Sequence, residues 1–318
     1  MTASIFAICC ALCWAAAFLL CGCAVWRVAA MWREQRRERL YAQRYMRMVT
    51  LYMLEGDGVP MSRFPMSGRR GAREVLARTL AAAASSTCFD DMHSLRRMVA
   101  ANGIEGWLLH RIRLSHGYVR ARYMSMLSAL PVSRTTASCA GRYASTSNRH
   151  IRFRTMMVGI AADPSAAVRL LNEYPYSVTP LELAELSSVL RRGVLPLACE
   201  PLLTSEGYNL KMLGLNIVRI FGMVEIQHRI LDIISRDDSP AFRDEAVYVL
   251  VALHLPVTHE GVAAHVRSMR ACERCSLLRR LAREGYSLAA LVHLASEEES
   301  GYAESLAASY KRSLVCTR

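Results

Sequence analysis

The sequence predicts an all-α protein in which an N-terminal transmembrane helix leads into an α-α superhelical solenoid. Three observations predict it: an uncharged apolar run at residues 5–25, a basic-centred motif that returns about every thirty residues, and a near absence of period-two strand patterning. Composition agrees. The 318 residues are 53% hydrophobic with only 7 Phe, which favours helix over strand and supplies a sizeable core. With 17 Gly and 10 Pro, the chain is not of low complexity.

The first element is the run IFAICCALCWAAAFLLCGCAV, residues 5–25, which carries no charge. At about 1.5 Å per residue it matches the roughly 30 Å apolar core of a bilayer. Arg27, Arg33, Arg36, Arg37, Arg39, Arg44 and Arg47 follow it against Glu34 and Glu38, and no charged side chain precedes it. The positive-inside rule then places the amino terminus outside and the rest of the chain in the cytoplasm. Trp26 and Trp32 suit the interface at that end. Two rival readings stay open: a cleaved signal peptide, and a lipoprotein signal at Leu20-Cys21-Gly22-Cys23. Both expect basic residues ahead of the apolar run, and there are none.

Beyond the run, Leu40, Tyr41, Tyr45, Met48 and Tyr52 recur at helical spacing among arginines, so the helix is expected to continue. Its basic face either lies against anionic lipid headgroups, at about 1 kcal/mol per arginine, or only sets topology. Residues 56–71, GDGVPMSRFPMSGRRG, read as a linker. The expected division is thus 1–31 anchor, 32–72 basic juxtamembrane helix and linker, and 73–318 repeat body.

In that body a basic residue with an apolar neighbour before it and another four positions on recurs as Val119-Arg120…Met124, Ile151-Arg152…Met156, Leu210-Lys211…Leu215 and Phe242-Arg243…Val247. Leu181-Glu182…Leu186 fills the gap with the charge reversed, and the successive spacings are 32, 30, 29 and 32. One helical hairpin cannot bury its apolar face alone, so a near-constant period implies stacked hairpins. Leu127, Ile160, Val189, Val218 and Leu250 continue the same face. Asp163-Pro164 and Asp238-Ser239-Pro240 read as helix starts, and VYVLVAL, residues 247–253, as buried helix. Residues 133–147 are poor in large apolar side chains and predict a short or exposed helix, and after Arg243 the motif slips out of phase.

Residues 208–253, YNLKMLGLNIVRIFGMVEIQHRILDIISRDDSPAFRDEAVYVLVAL, resemble consecutive HEAT-type repeats, and the likeness extends more weakly from about residue 75 to the end. The resemblance implies a HEAT-like solenoid, a mostly noncatalytic scaffold whose surfaces hold other proteins. The order of membrane helix, Arg-rich flank, linker and repeats, ending in Ser309 to Arg312, is similar to a group of membrane-anchored bacterial HEAT-repeat proteins. Their genes neighbour those of membrane glycosyltransferases. That likeness implies a bacterial inner-membrane location and a membrane-associated partner such as a glycosyltransferase.

Charge is the second guide to function. Residues 1–154 carry 23 basic and 8 acidic side chains, and residues 155–318 carry 17 and 19. Arg111, Arg113, Arg122, Arg149 and Arg154 are candidate partner-binding residues, and Trp107, Tyr118, Tyr123 and Tyr143 lie among them. The alternative is nucleic-acid binding through residues 92–154, disfavoured because the same arginines adjoin the anchor. No catalytic, cofactor or metal site is expected. Cys272 and Cys275 lack the second close pair that structural zinc needs, and Ala263 stands where a His259-Glu260 metal motif requires a second histidine. The eleven cysteines are an odd, scattered set that fits a reducing compartment.

Overall fold

The computed structural model describes residues 2–55, 64, 71–86, 92–190, 199–237 and 239–316. Among them the fold is all-helical, with no strand. The chain divides into two compact units, Met1–Pro164 and Ser165–Arg318.

The first unit opens with α1 (Thr2–Glu55), a continuous helix of 54 residues. It is followed by α2 (Ala72–Ser86), α3 (Met92–Ala101), α4 (Ile104–Leu114), α5 (Gly117–Ala129), α6 (Arg134–Gly141) and α7 (Arg149–Ala162). The juxtamembrane spacing has the predicted consequence. Tyr45 and Val49 are buried, and Tyr41, Met48 and Tyr52 pack beside them, in the core that also holds Leu76 and Leu80 of α2. Phe64, from the segment read as linker, is buried there too. Its ring lies 6.1 Å from Tyr45 and 5.7 Å from Tyr52, and its N–H donates to Asn102 Oδ1 at 2.9 Å. The rest of the 56–70 segment lies outside the described residues. The C-terminal half of α1 is thus part of the first unit's core, because its aromatic face has α2 and Phe64 to bury against.

In this unit α4 pairs with α5, α6 with α7, and each pair packs on the next through α5 with α7 and α4 with α6. The helix ahead of α7 is short, as its sparse apolar content predicts: α6 has 8 residues. Local chemistry sets the starts, with Ser133 Oγ accepting the Thr136 N–H and Asn148 Oδ1 accepting the Ile151 N–H.

The second unit contains α8 (Ala167–Asn172), α9 (Pro180–Leu190), α10 (Cys199–Leu203), α11 (Tyr208–Phe221), α12 (Gln227–Arg236), α13 (Pro240–Ala252), α14 (Glu260–Ser268), α15 (Ala271–Arg283), α16 (Leu288–Leu294) and α17 (Ser300–Cys316). Here α10 pairs with α11, α12 with α13 and α16 with α17, while α11 packs on α13, α12 on α14, α14 on α16 and α15 on α17. Pro240 stands in the first turn of α13 behind Ser239; Asp238 lies outside the described residues. Pro164 opens a single 3-10 turn ahead of α8 rather than an α-helix. Gly222 closes α11 at φ 63°, a conformation costly for residues with a Cβ.

The apolar motif positions are buried four and seven or eight residues after the basic residue: Met124, Leu127, Met156, Ile160, Leu186, Val189, Leu215, Val218, Val247 and Leu250. The preceding position corrects the sequence reading in two places. Val119 and Leu181 are exposed, whereas Ile151, Leu210 and Phe242 at the same motif position are buried.

Among the described residues no helix is long and apolar enough to cross a membrane. The predicted span at 5–25 falls in α1, but apart from Trp14 its side chains up to Ala17 lie outside those described. The side chains that follow are apolar and unpacked: Phe18, Leu19, Leu20, Val25, Trp26, Val28, Met31 and Trp32 are all exposed.

Candidate functional site

Three of the repeat-signature residues, Arg120, Arg152 and Lys211, act as internal staples. Arg120 Nε donates to the carbonyls of Ile112 (3.2 Å) and Ser115 (2.8 Å), and its guanidinium lies 4.8 Å from the centre of the Tyr143 ring. Arg152 Nε donates to the carbonyl of Ala144. In both cases a cation reaches back to the turn just before its own helix and satisfies carbonyls that the preceding helix or turn leaves open. Lys211 reaches forward instead. Its ammonium pairs with Asp237, which also accepts the Ser239 N–H at 2.9 Å, and Lys211 Nζ lies 5.2 Å from the Phe242 ring centre. Burial works to raise the Asp237 carboxyl, but the Lys211 bond and the Ser239 N–H outweigh it, so the pKa lies below the usual carboxylate value. Arg243 adds a positive charge beside Asp237.

Sequence reading missed one staple. Arg274 stands 31 residues after Arg243, but Glu273, not an apolar residue, precedes it, so the motif does not register. Arg274 Nε and Nη2 donate to the two oxygens of Glu299 at 2.6 and 3.0 Å. Its Nη1 donates to the carbonyls of Arg267 (2.9 Å) and Met269 (2.8 Å), the end of α14. Both partners of this fork are nearly buried, with side chains 11% and 13% exposed. The bond holds the Glu299 carboxyl below its ordinary value and raises Arg274 further. Tyr286 serves α13 likewise, donating to the carbonyl of Leu255 at 2.9 Å; burial pushes its phenol up to about 12.

The candidate partner-binding arginines do not form one patch. Arg122 pairs with Glu74 of α2, to which Tyr123 also donates at 3.2 Å, and Arg111 donates to the Tyr123 hydroxyl at 3.0 Å. Arg78 joins Glu74 (3.3 Å) to Glu38 of α1 (3.7 Å). This network ties α1, α2, α4 and α5 together, with Arg78, Arg111 and Arg122 still open to solvent. Arg149 and Arg154 are half-buried on α7 and engaged, Arg154 over the Phe153 ring at 5.6 Å. Arg113 alone of the five is exposed with no bond or ion pair among the described residues, beside exposed Leu114 and Tyr118.

The juxtamembrane arginines behave differently. Arg27, Arg33, Arg36, Arg37, Arg39, Arg44 and Arg47 are all exposed, and none has an ion pair among the described residues; Arg33 Nε donates only to the carbonyl of Ala29 in its own helix (3.2 Å). Glu38 on the same helix is turned toward α2 through Arg78. This excess of exposed arginines along α1 attracts anions or carboxylates.

The remaining candidate chemistry is sparse. Among the described residues no group of three or more His, Cys, Asp or Glu could hold a metal ion, and Cys272 and Cys275 are free thiols. His265 Nε2 lies 2.8 Å from Asp244, while His259 caps α14 through the Gly261 N–H at 3.2 Å. A cleft of about 220 Å³ in the second unit is lined by Tyr174, Tyr176, Tyr208 and Asn209. That is smaller than the roughly 300–1,000 Å³ of small-molecule sites. Its Asn209 is occupied structurally, accepting the Val178 N–H at 2.8 Å and donating to the Tyr176 carbonyl at 2.9 Å.

Comparison of the chain with protein families, with characterised proteins and with solved structures finds no match.

Proposed function

We propose that the protein is a membrane-tethered HEAT-like scaffold, held by the apolar lead of α1 in a bacterial inner membrane with its helical body in the cytoplasm. The observation that carries the reading is the unpacked apolar girth of α1 from Phe18 to Trp32, followed by exposed arginines that have no ion pair among the described residues. Leaving so many large apolar side chains in water is costly; the apolar core of a bilayer removes that cost, and anionic headgroups attract the arginines at the C-terminal end of the segment. Helices of like position packing on one another within each unit support the repeat architecture.

The role is to hold another membrane-associated protein, for which the bacterial resemblance suggests a glycosyltransferase. Confinement to the membrane raises effective concentration, so a modest interface stays occupied. Nucleic-acid binding through residues 92–154 is the weaker reading, since Arg111, Arg120, Arg122 and Arg152 already serve internal contacts. Crosslinked pull-down from native membranes tests the role. A membrane protein recovered only with the full chain supports it, and recovery of nucleic acid in its place overturns it.

A further inference from the structure

Outside α1, the large apolar side chains left exposed among the described residues of the first unit all lie at one turn. They are Leu114 at 62%, Tyr118 at 81% and Val119 at 46%, on either side of the α4–α5 connection. Exposed Arg113 and His116 stand among them, and no acidic residue occurs between Glu105 and Asp163. The tip is held in shape from within. Arg120 Nε donates to the Ile112 and Ser115 carbonyls, and Gly117 takes a φ of 51°, which favours glycine. A preformed apolar and tyrosyl tip flanked by cations has the chemistry of a bilayer interface, where rings and aliphatic groups enter the headgroup layer and cations meet its anions.

Contacts within the first unit place this tip along α1. The Phe64 ring sits against Tyr45 and Tyr52, and Asn102 Oδ1 accepts the Phe64 N–H, so α4 begins near the level of residues 45–52 of α1. Arg111, near the other end of α4, donates to Tyr123, which donates to Glu74, and Arg78 links Glu74 to Glu38. Thus α4 descends alongside α1 toward the apolar lead. Glu38 lies about 20 Å beyond Val25 along α1, and the step from Arg111 to Leu114 brings the tip to about 15 Å. Counting down α4 from Asn102, at about 35 Å, gives about 17 Å. Because α5 packs on α2 and α2 on α1, the tip also lies two helix layers, about 18 Å, to the side. Leaning α1 toward it by about 20°, the average for a membrane helix, lowers the tip by about 6 Å. At about 10 Å the Leu114 and Tyr118 side chains reach a headgroup layer roughly 5–8 Å deep. We infer that the Arg113–Val119 turn is a second membrane contact, seating Leu114, Tyr118 and Val119 in the headgroup layer from which α1 emerges, with Arg113 on anionic headgroups. A phosphate backbone would use Arg113 but leave the apolar side chains in water. Two contacts fix the lean and rotation of the first unit, which a single helix leaves free. This placement rests on the membrane tether proposed above.

The test uses the full chain in nanodiscs of phosphatidylcholine and phosphatidylserine doped with a phospholipid carrying a headgroup diazirine, photolysed and mapped by mass spectrometry. Label is expected on α1 from Trp26 to Trp32 and on residues 113–119, and not on residues 101–105 at the opposite end of α4. Arg113→Glu and Tyr118→Asp, both at exposed positions, are each expected to cut the label on Leu114 and Val119 at least about threefold, with helicity and α1 labelling unchanged. An unlabelled turn on a labelled α1 overturns the second contact and leaves the tether standing. Label on the turn with α1 unlabelled overturns the tether and leaves the turn supported as a membrane contact. Equal label on residues 101–105, or undiminished label in both variants, overturns the proposal as well. In membranes of expressing cells, Tyr118→p-benzoylphenylalanine is expected to crosslink to lipid, and crosslinking to a protein in its place overturns lipid as the occupant.

Discussion

Replacing Arg274 with alanine tests the staple logic where the geometry is most complete. The substitution deletes the two-pronged bond to Glu299 and the bonds to the Arg267 and Met269 carbonyls. It strands a carboxylate whose side chain is 13% exposed. Removing one partner of a buried pair costs about 3–5 kcal/mol; residual solvent access here places the expected loss near the lower end, about 3 kcal/mol. For a unit of this size that is a melting-point drop of about 6–12 °C. Chemical denaturation of Arg274→Ala, Glu299→Gln and the double variant measures it. A coupling of about 1–3 kcal/mol is expected, with Arg274→Lys recovering part of the loss. Because the folded Glu299 carboxyl titrates below its ordinary value, its contribution is present above the unfolded pKa of about 4.3 and disappears as pH falls through the folded value. An Arg274→Ala protein within about 0.5 kcal/mol of the parent would refute the assignment of Arg274 as a structural staple.

Other outcomes follow from the same contacts. Tyr45→Ala, which empties a fully buried aromatic site between Tyr41 and Phe64, is expected to destabilise the first unit by about 3 kcal/mol in thermal unfolding while leaving membrane retention intact. Lys211→Met is expected to cost about 1–3 kcal/mol by stranding Asp237, and to remove stability that the parent loses only as pH falls below the usual carboxylate range. Cys272→Ser with Cys275→Ser is expected to leave helicity and melting unchanged on addition or chelation of zinc, read by circular dichroism.

The helical class and the period of the body were legible because burial at fixed offsets forces fixed spacing. Met124, Met156, Leu186, Leu215 and Val247 are all interior. The purpose of the motif's cation was not legible. A sequence shows that Arg120 recurs but not that its side chain reaches back to the Ser115 carbonyl, and it hid Arg274 behind Glu273. The contacts of the candidate arginines were hidden for the same reason. Arg111 and Arg122 look like surface charge until α2 supplies Glu74, forty-eight residues before Arg122. The α1 arginines, by contrast, were picked out by their position after the apolar run.

The account depends above all on the apolar lead of α1 being a membrane anchor, and fractionation of cells expressing the full chain tests that most directly. The account expects it to stay with membranes through a high-salt wash and alkaline carbonate extraction, and a form lacking residues 1–31, which keeps Tyr41 to Tyr52 and hence the first unit's core, to be recovered as soluble helical protein. Release of the full chain by salt alone would contradict it.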